Sequence, residues 1–145
     1  MALAFGSLFA VTPASARGLA DDGTLAPCPD RPNCVSSRAT VAAQAIAPLA
    51  YEGSAEAAWR RLGEWVRAAG GARVVAEQTV GGTPYLRAEF RSSVFGFVDD
   101  VEFALDAKAA VIHVRAAART GYWDLGVNRA RIERLRSAVT QGGAR

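Results

Sequence analysis

The feature that most constrains this fold is an alternation of apolar and polar side chains in three consecutive segments, which follow a further predicted strand that ends at the turn dipeptide Gly81-Gly82. The four predicted strands are residues 73–79, 83–92, 97–106 and 111–118. In the second of them Leu86, Ala88 and Phe90 fall on one face, whereas Arg87 and Glu89 fall on the other. Because successive strand residues point to opposite faces, this period predicts strands with one packed side and one polar side. Four strands in succession predict an antiparallel sheet.

Two further segments have helical spacing. Ser54 is a predicted N-cap, and apolar residues follow it at intervals of three and four up to Ala69. A second helix is predicted from Asn128, as its N-cap, to about Val139, and a short strand at 45–51 precedes the first helix. The order β-α-β-β-β-β-α predicts an α+β fold, an antiparallel sheet of about five strands with both helices on one face. This arrangement resembles the TATA-binding-protein-like or helix-grip folds.

The first sixteen residues have the pattern of a secretory signal. Residues 2–11 are uncharged and mostly apolar but too short to span a bilayer, and residues 14–16 (Ala-Ser-Ala) have the small-x-small pattern of a signal-peptidase site. We therefore expect an exported protein, periplasmic or otherwise extracytoplasmic, with a signal at 1–16, an extended leader at 17–40 and one domain at 41–142. No basic residue precedes the apolar run. An upstream start codon, a shortened sequence and an apolar helix packed on the domain all stay open.

The two cysteines, Cys28 and Cys34, are separated by five residues. An oxidising compartment favours a disulfide between them, and Pro29 and Pro32 make the intervening loop turn-like. Because the loop is short, such a bond removes little chain entropy and would mainly shape a local turn. A reactive dithiol is the less favoured interpretation, since redox pairs usually have CxxC spacing.

The polar side of the predicted sheet concentrates charged side chains. Its members are Arg87, Glu89, Arg91, Asp100, Glu102, His113 and Arg115. Opposite charges on neighbouring strands can pair across the sheet, so we expect a solvated face with cross-strand ion pairs. The alternative is a polar platform for an anionic or sugar-like ligand.

Asp99 and Asp100 are not expected to form a carboxylate pair, because adjacent strand residues point to opposite faces. Asp99 falls among the apolar residues, where a buried carboxylate needs a partner or stays protonated. We expect a partly buried contact between Asp99 and either Arg119 or Arg129. That contact would be a structural clamp or part of a functional site.

The segment 119–136, between the last strand and the last helix, is the most distinctive of the chain. Tyr122 and Asp124 lie in a loop bracketed by glycines, and a helix start with arginines can hold an anion. Residues 119–145 contain six arginines and two acidic residues, a net charge of +4. The weak overall charge of +3 and the expected export argue against nucleic-acid binding. One histidine and two cysteines do not suggest a zinc site, and no cofactor motif is present.

Three stretches of the chain carry distinctive motifs, CPDRPNCVSS (28–37), FGFVDDVEF (95–103) and HVRAAARTGYWDLGVNRARIERLR (113–136). They resemble the bacterial and plastid family catalogued as domain of unknown function 1499 (DUF1499). The resemblance covers roughly residues 25–138. It implies export or membrane tethering and no particular activity.

The polar residues that mark this family map onto single positions here. They are Asp99, Asp100, Arg115, Arg119, Asp124, Asn128 and Arg129. Ala116 and Ala118 stand where many members carry serine, and Trp123 stands where a small polar residue is common. If those hydroxyl groups were catalytic in the family, this protein would lack them.

Taken together, the residues favour a non-enzymatic ligand-binding or accessory domain of the cell envelope. The hypothetical ligand-binding residues are Asp99, Asp100, Arg115, Arg119, Tyr122, Asp124, Asn128 and Arg129. A small-molecule or lipid-like ligand or an envelope protein would be the partner, and no cofactor, nucleic acid or integral membrane segment is expected after signal cleavage. Two alternatives stay open. One is a structural or assembly module, and the other is an acid/base hydrolase that uses Asp99 or Asp124 with arginines.

Overall fold

Six strands and two helices make up residues 17–140, the part of the chain that the computed structural model describes. In chain order they are β1 (Cys34–Ser36), β2 (Leu49–Ala50), α1 (Ala55–Ala68), β3 (Ala72–Val80), β4 (Thr83–Arg91), β5 (Val98–Asp106), β6 (Val111–Ala118) and α2 (Val127–Thr140). All strands belong to one antiparallel sheet with the order β1-β6-β5-β4-β3. The short strand β2 pairs with the first two residues of β6, on the same edge of β6 as β1. The predicted α+β class and antiparallel sheet are confirmed, whereas the predicted signal at 1–16 lies outside the described residues.

The strands that the alternation predicted agree with the structure to within one or two residues at their ends. Two short edge strands differ from the prediction. The predicted strand at 45–51 contains only two ladder residues, because Pro48 directly before them has no N–H to donate. Residues 34–36, which the sequence analysis assigned to the leader, form β1, with Cys34 opposite Ala117.

The apolar face of the sheet packs against both helices. Phe103 at its centre is fully buried, as are Leu62 of α1 and Leu135 of α2. The helix α1 begins as predicted, because the Ser54 hydroxyl accepts a hydrogen bond from the Ala57 N–H at 3.1 Å. Within residues 17–140 no helix has the length and apolarity needed to cross a membrane.

The second face of the sheet is covered by the leader, which corrects the prediction of a solvated face. Leu25 is buried against Tyr85 and Ala104 of this face. The Gly18 N–H donates a hydrogen bond to Glu102, which is fully buried. The leader carries no periodic pattern, so its packing on the sheet was not visible in the sequence.

A disulfide joins Cys28 to Cys34 and closes the leader loop, as the sequence predicted. The two Cα atoms are 5.8 Å apart, and Cys34 is buried at the start of β1. The disulfide therefore connects the leader at Cys28 to β1, a strand at the edge of the sheet. It holds Asn33 and Pro29 close to the strand β6, where they contribute to the site described below.

We predict that Leu25→Ala lowers the free energy of unfolding by about 2–4 kcal/mol, because it removes a buried side chain from the contact between leader and sheet. Urea denaturation measures the change. The matched control is Leu125→Ala, the same substitution at a side chain that is 75% exposed, with an expected change within about 0.5 kcal/mol. Equal effects of the two substitutions would show that the leader does not pack on the sheet.

Candidate functional site

The predicted site residues separate into two groups on opposite faces of the sheet, because Asp99 and Asp100 point in opposite directions. The group on the helix side consists of Asp99, Asp124 and Asn128. The group on the leader side consists of Asp100, Arg115 and Arg119. Tyr122 is 69% exposed on the loop between β6 and α2. Arg129 belongs to neither group, because it donates hydrogen bonds to the backbone carbonyls of Ala43 and Ala45.

On the leader side, the buried carboxylate of Asp100 binds two arginines. Arg17 contacts it at 2.9 Å, and Arg119 contacts both of its oxygens at 2.8 Å. Arg119 also forms an ion pair with Glu89 of β4. The hydrogen bonds with Asp100 and Glu89 raise the pKa of Arg119. The hydrogen bonds from Arg119 and Arg73 in turn lower the pKa of Glu89 to about 2.

At the centre of the same face, Glu102 and Arg115 form an ion pair at 2.9 Å, with side chains only 0% and 2% exposed. Glu102 accepts two further hydrogen bonds, from the Tyr85 hydroxyl and the Gly18 N–H, each at 2.6 Å. Arg115 donates its Nε–H to the Pro27 carbonyl. Burial and the nearby Glu102 carboxylate raise the pKa of Tyr85, so its hydroxyl remains a donor.

A polar cavity of about 180 Å³ lies between the leader and this face of the sheet. Its charged lining residues are Arg17, Arg31, Arg115, Arg119 and Asp100. Asn33 also lines it and is 2% exposed, and its Nδ2 donates to the Gly121 carbonyl at 2.7 Å. That contact with a carbonyl fixes the orientation of the amide. The Asn33 Oδ1 is buried and has no hydrogen-bond partner among the described residues.

On the helix side, Asp99 pairs with Arg131 at 2.9 Å. The expected buried contact with an arginine is therefore present, but neither predicted partner, Arg119 or Arg129, makes it. Arg119 continues the alternation of β6 onto the leader side, and Arg129 faces the segment before β2. Burial raises the pKa of Asp99, although the Arg131 guanidinium opposes this shift. Arg131 also lies over the ring of Phe90, 4.5 Å from its centroid.

The start of α2 differs from the prediction by two residues. The helix begins at Val127, so Asn128 is not its N-cap. Asp124 instead accepts hydrogen bonds from the N–H groups of Gly126 and Asn128 and from the Asn128 side chain. Asn128 is fully buried, and its Oδ1 accepts a hydrogen bond from Arg131. The Asn128 side chain therefore links Asp124 to Arg131.

A second cleft, of about 320 Å³, opens between the β4–β5 loop and the β6–α2 loop. Phe97, Trp123 and Val127 supply its apolar walls, and Asp99 and Arg131 also line it. It differs from the leader cavity in chemistry, because its exposed lining is mostly apolar. Ala118 lines both openings, at the end of β6.

His113 lies apart from both openings. Its Nδ1 is 3.1 Å from the Ser37 hydroxyl, and burial lowers its pKa below the usual range. No cluster of three or more metal-ligating side chains occurs between residues 17 and 140.

Sequence reasoning missed four charged or amide side chains that line the two openings, namely Arg17, Arg31, Asn33 and Arg131. The first three belong to the leader, whose sequence has no period that would place it on the sheet. Arg131 carried a usable signal, because the spacing of α2 puts it on the same face as Asn128, three residues earlier, and the buried Leu135, four residues later.

The fold and the two openings define a class of protein: a small α+β domain with helices on one face of its sheet and a disulfide-closed leader on the other. A family model described as "Protein of unknown function (DUF1499)" matches residues 24–139. The chain belongs to this family, as its sequence motifs predicted. No curated protein and no solved structure matched the chain.

The buried ion pair yields a prediction about stability. Arg115→Met should lower the free energy of unfolding by about 3–5 kcal/mol, because it leaves the Glu102 carboxylate buried and unpaired. Adding Glu102→Gln should recover part of this loss, since the uncompensated charge is then absent. Arg60→Met, which breaks the exposed Arg60–Glu64 pair, is the control and should change stability by less than about 1 kcal/mol. A double mutant less stable than Arg115→Met would contradict this account.

The lowered pKa of Glu89 predicts an acid-sensitive stability. Because its folded pKa of about 2 lies below the ordinary value of 4.5, its stabilising contribution is present above pH 4.5 and is lost as the pH falls towards 2. Glu89→Gln should therefore flatten the decline of unfolding free energy over this range. The raised pKa of buried Asp99 has the opposite effect on the pH dependence of stability. Because Asp99 is present in both the wild type and Glu89→Gln, its contribution cancels in the difference between them.

Urea denaturation at several pH values between 4.5 and 2 measures the two slopes. The matched control is Glu64→Gln on α1, a carboxylate that is 67% exposed and contacts only the exposed Arg60. Parallel slopes for the wild-type protein and Glu89→Gln would refute the prediction.

Proposed function

We propose that this protein is a non-enzymatic ligand-binding domain of the cell envelope, and that its ligand is a small anion held in the leader cavity. The observation that carries the proposal is the lining of this cavity, which contains four arginines, Arg17, Arg31, Arg115 and Arg119. Such a concentration of positively charged donors favours a ligand that carries negative charge.

The charge around the cavity supports an anionic ligand. Four arginines line the cavity, and only one residue of the lining, Asp100, is a carboxylate. Arg17 and Arg119 pair with Asp100, and Arg115 pairs with Glu102. Arg31 is exposed and forms none of the ion pairs found within residues 17–140, so its guanidinium is available to a ligand. Guanidinium groups match carboxylates and phosphates in a bidentate geometry.

The size of the cavity narrows the class of ligand. A volume of about 180 Å³ lies below the range typical of sites for drug-sized molecules. A small oxyanion, for example a hydroxycarboxylate or hydrogen phosphate, fits a cavity of this size and matches the guanidinium groups that line it.

The contacts of the two candidate acids support a binding role over acid/base catalysis. The carboxylate of Asp124 is occupied by three hydrogen bonds at the start of α2. Asp99 is bound to Arg131, and Asp100 to two arginines. A general acid or base needs a free path to the substrate proton, and these groups are already committed.

The envelope location forms part of the proposal. It is supported by the signal-like pattern of residues 1–16 and by the Cys28–Cys34 disulfide, a bond that persists in oxidising compartments. A small charged ligand in that compartment would reach the cavity directly from solvent.

Isothermal titration calorimetry with inorganic phosphate and with small hydroxycarboxylates tests the anion site. We expect at least one of these anions to bind, and Arg31→Gln to weaken that binding by about tenfold, because one charge-assisted contact is lost. Arg31 forms no buried ion pair, so the variant should keep the wild-type unfolding temperature. Arg60→Gln on the exposed face of α1 is the matched control and should bind as the wild type does.

Native mass spectrometry of the mature protein from its own compartment adds an independent measurement. An extra mass that disappears in Arg31→Gln but not in Arg60→Gln would identify the anion. No binding by any anion together with a bare mass would refute the proposal and favour a structural or assembly module. Turnover of an ester, glycoside or phosphate panel that Asp124→Asn abolishes would favour the hydrolase alternative.

A further inference from the structure

Seven exposed apolar side chains are grouped on two loops of the domain and on the first residue of α2. They are Val94, Phe95, Phe97, Tyr122, Trp123, Leu125 and Val127, each between 46% and 78% exposed. Among residues 17–140 only one other large apolar side chain, Val41, is comparably exposed. We call these seven residues the loop-tip patch. Exposed apolar side chains are common singly, but a group of this size marks an interaction surface.

The two loops of the loop-tip patch lie side by side at one end of the sheet. The Arg119 N–H donates to the Val98 carbonyl, which joins the bases of the loops. The rings of Phe95 and Phe97 are 5.6 Å apart, and Phe97 lines the same apolar cleft as Trp123. The patch therefore extends across both loops.

The charges beside the loop-tip patch are mostly basic. Arg91 ends β4, the strand that leads into the first loop, and Arg134 lies beside Arg91 and Ser92 on the adjoining wall. The carboxylate nearest the patch in sequence, Asp124, is turned towards the start of α2 by its three hydrogen bonds. An apolar surface with aromatic side chains and a basic margin complements an anionic membrane interface.

Leu125 adds a backbone observation. Its φ angle is +57°, a left-handed conformation that is unfavourable for a branched side chain, and the side chain is 75% exposed. The fold thus accepts local strain to hold a leucine that contributes nothing to the core. Such strain is typical of functional positions.

We propose that the loop-tip patch docks the domain onto the surface of an anionic lipid bilayer, with Phe95, Trp123 and Leu125 entering the interface. The arginines at its margin contact lipid headgroups. This surface uses residues other than those of the anion site, so either proposal can fail without the other.

Partition of the full chain onto vesicles of equimolar phosphatidylcholine and phosphatidylglycerol tests the docking. The double substitution Phe95→Ser and Trp123→Ser should weaken partition by at least about tenfold, because two apolar side chains no longer leave water. Leu125→Asn should weaken it as well, although asparagine suits the left-handed backbone better and the domain stays folded. The matched control is Val41→Ser, outside the patch, which should leave partition unchanged.

A second readout reports contact at the patch itself, whatever residues 1–16 contribute to binding. Brominated phosphatidylcholine in the same vesicles should quench tryptophan fluorescence, and Trp123→Phe should remove most of that quenching while the protein stays bound. Arg91→Gln with Arg134→Gln should weaken partition onto these vesicles and leave binding to pure phosphatidylcholine vesicles nearly unchanged.

Three outcomes would overturn the proposal. One is equal partition of the wild type and the Phe95→Ser/Trp123→Ser variant, and another is quenching that does not depend on Trp123. The third is a patch-dependent dimer or protein complex in size-exclusion chromatography without vesicle binding, which would assign the patch to a protein partner.

Discussion

The buried ion pair between Glu102 and Arg115 is the interaction on which the leader side of this protein depends. Two charges in the middle of a sheet lose their hydration, and their mutual attraction repays that cost only if the remaining donors and acceptors are satisfied. Here the leader satisfies them, because the Gly18 N–H binds Glu102 and the Pro27 carbonyl accepts from Arg115. The leader is therefore part of the folded unit, and the polar lining of the cavity follows from its path across the sheet.

The alternation of a strand explains why one chain carries two openings of different chemistry. Asp99 and Asp100 are neighbours in sequence, yet one faces α2 and the other faces the leader. On the helix side the carboxylate meets a single guanidinium among apolar residues, and burial raises its pKa. On the leader side two arginines surround the carboxylate. Two aspartates that are adjacent in the sequence thus line two openings of different chemistry, an apolar cleft and a charged cavity.

The sequence predicted the position of a segment well where its apolar residues recur with the period of a strand or of a helix. Strands β4 to β6 and helix α1 follow patterns that burial on one side enforces, so their positions were predictable within one or two residues. On the helix side, the sequence predicted that Asp99 contacts an arginine but not that this arginine is Arg131. With the N-cap placed at Asn128, Arg131 was not assigned to the face of α2 that packs on the sheet. Extending the alternation of β6 past its end would have put Arg119 on the face of Arg115, where the structure has it.

The leader was beyond prediction because its contacts are made mainly by backbone groups and by isolated side chains. Pro27 contributes a carbonyl, Gly18 an N–H, and Asn33 a carbonyl that accepts from the Ala118 N–H. Backbone groups of this kind are present at almost every position, so no residue pattern marks the ones that pack. The family match nevertheless begins at residue 24, just before Leu25 contacts the sheet. The contacts of the leader with the sheet begin earlier, at Arg17 and Gly18, so the packed part of the chain extends beyond the residues that the family model matches.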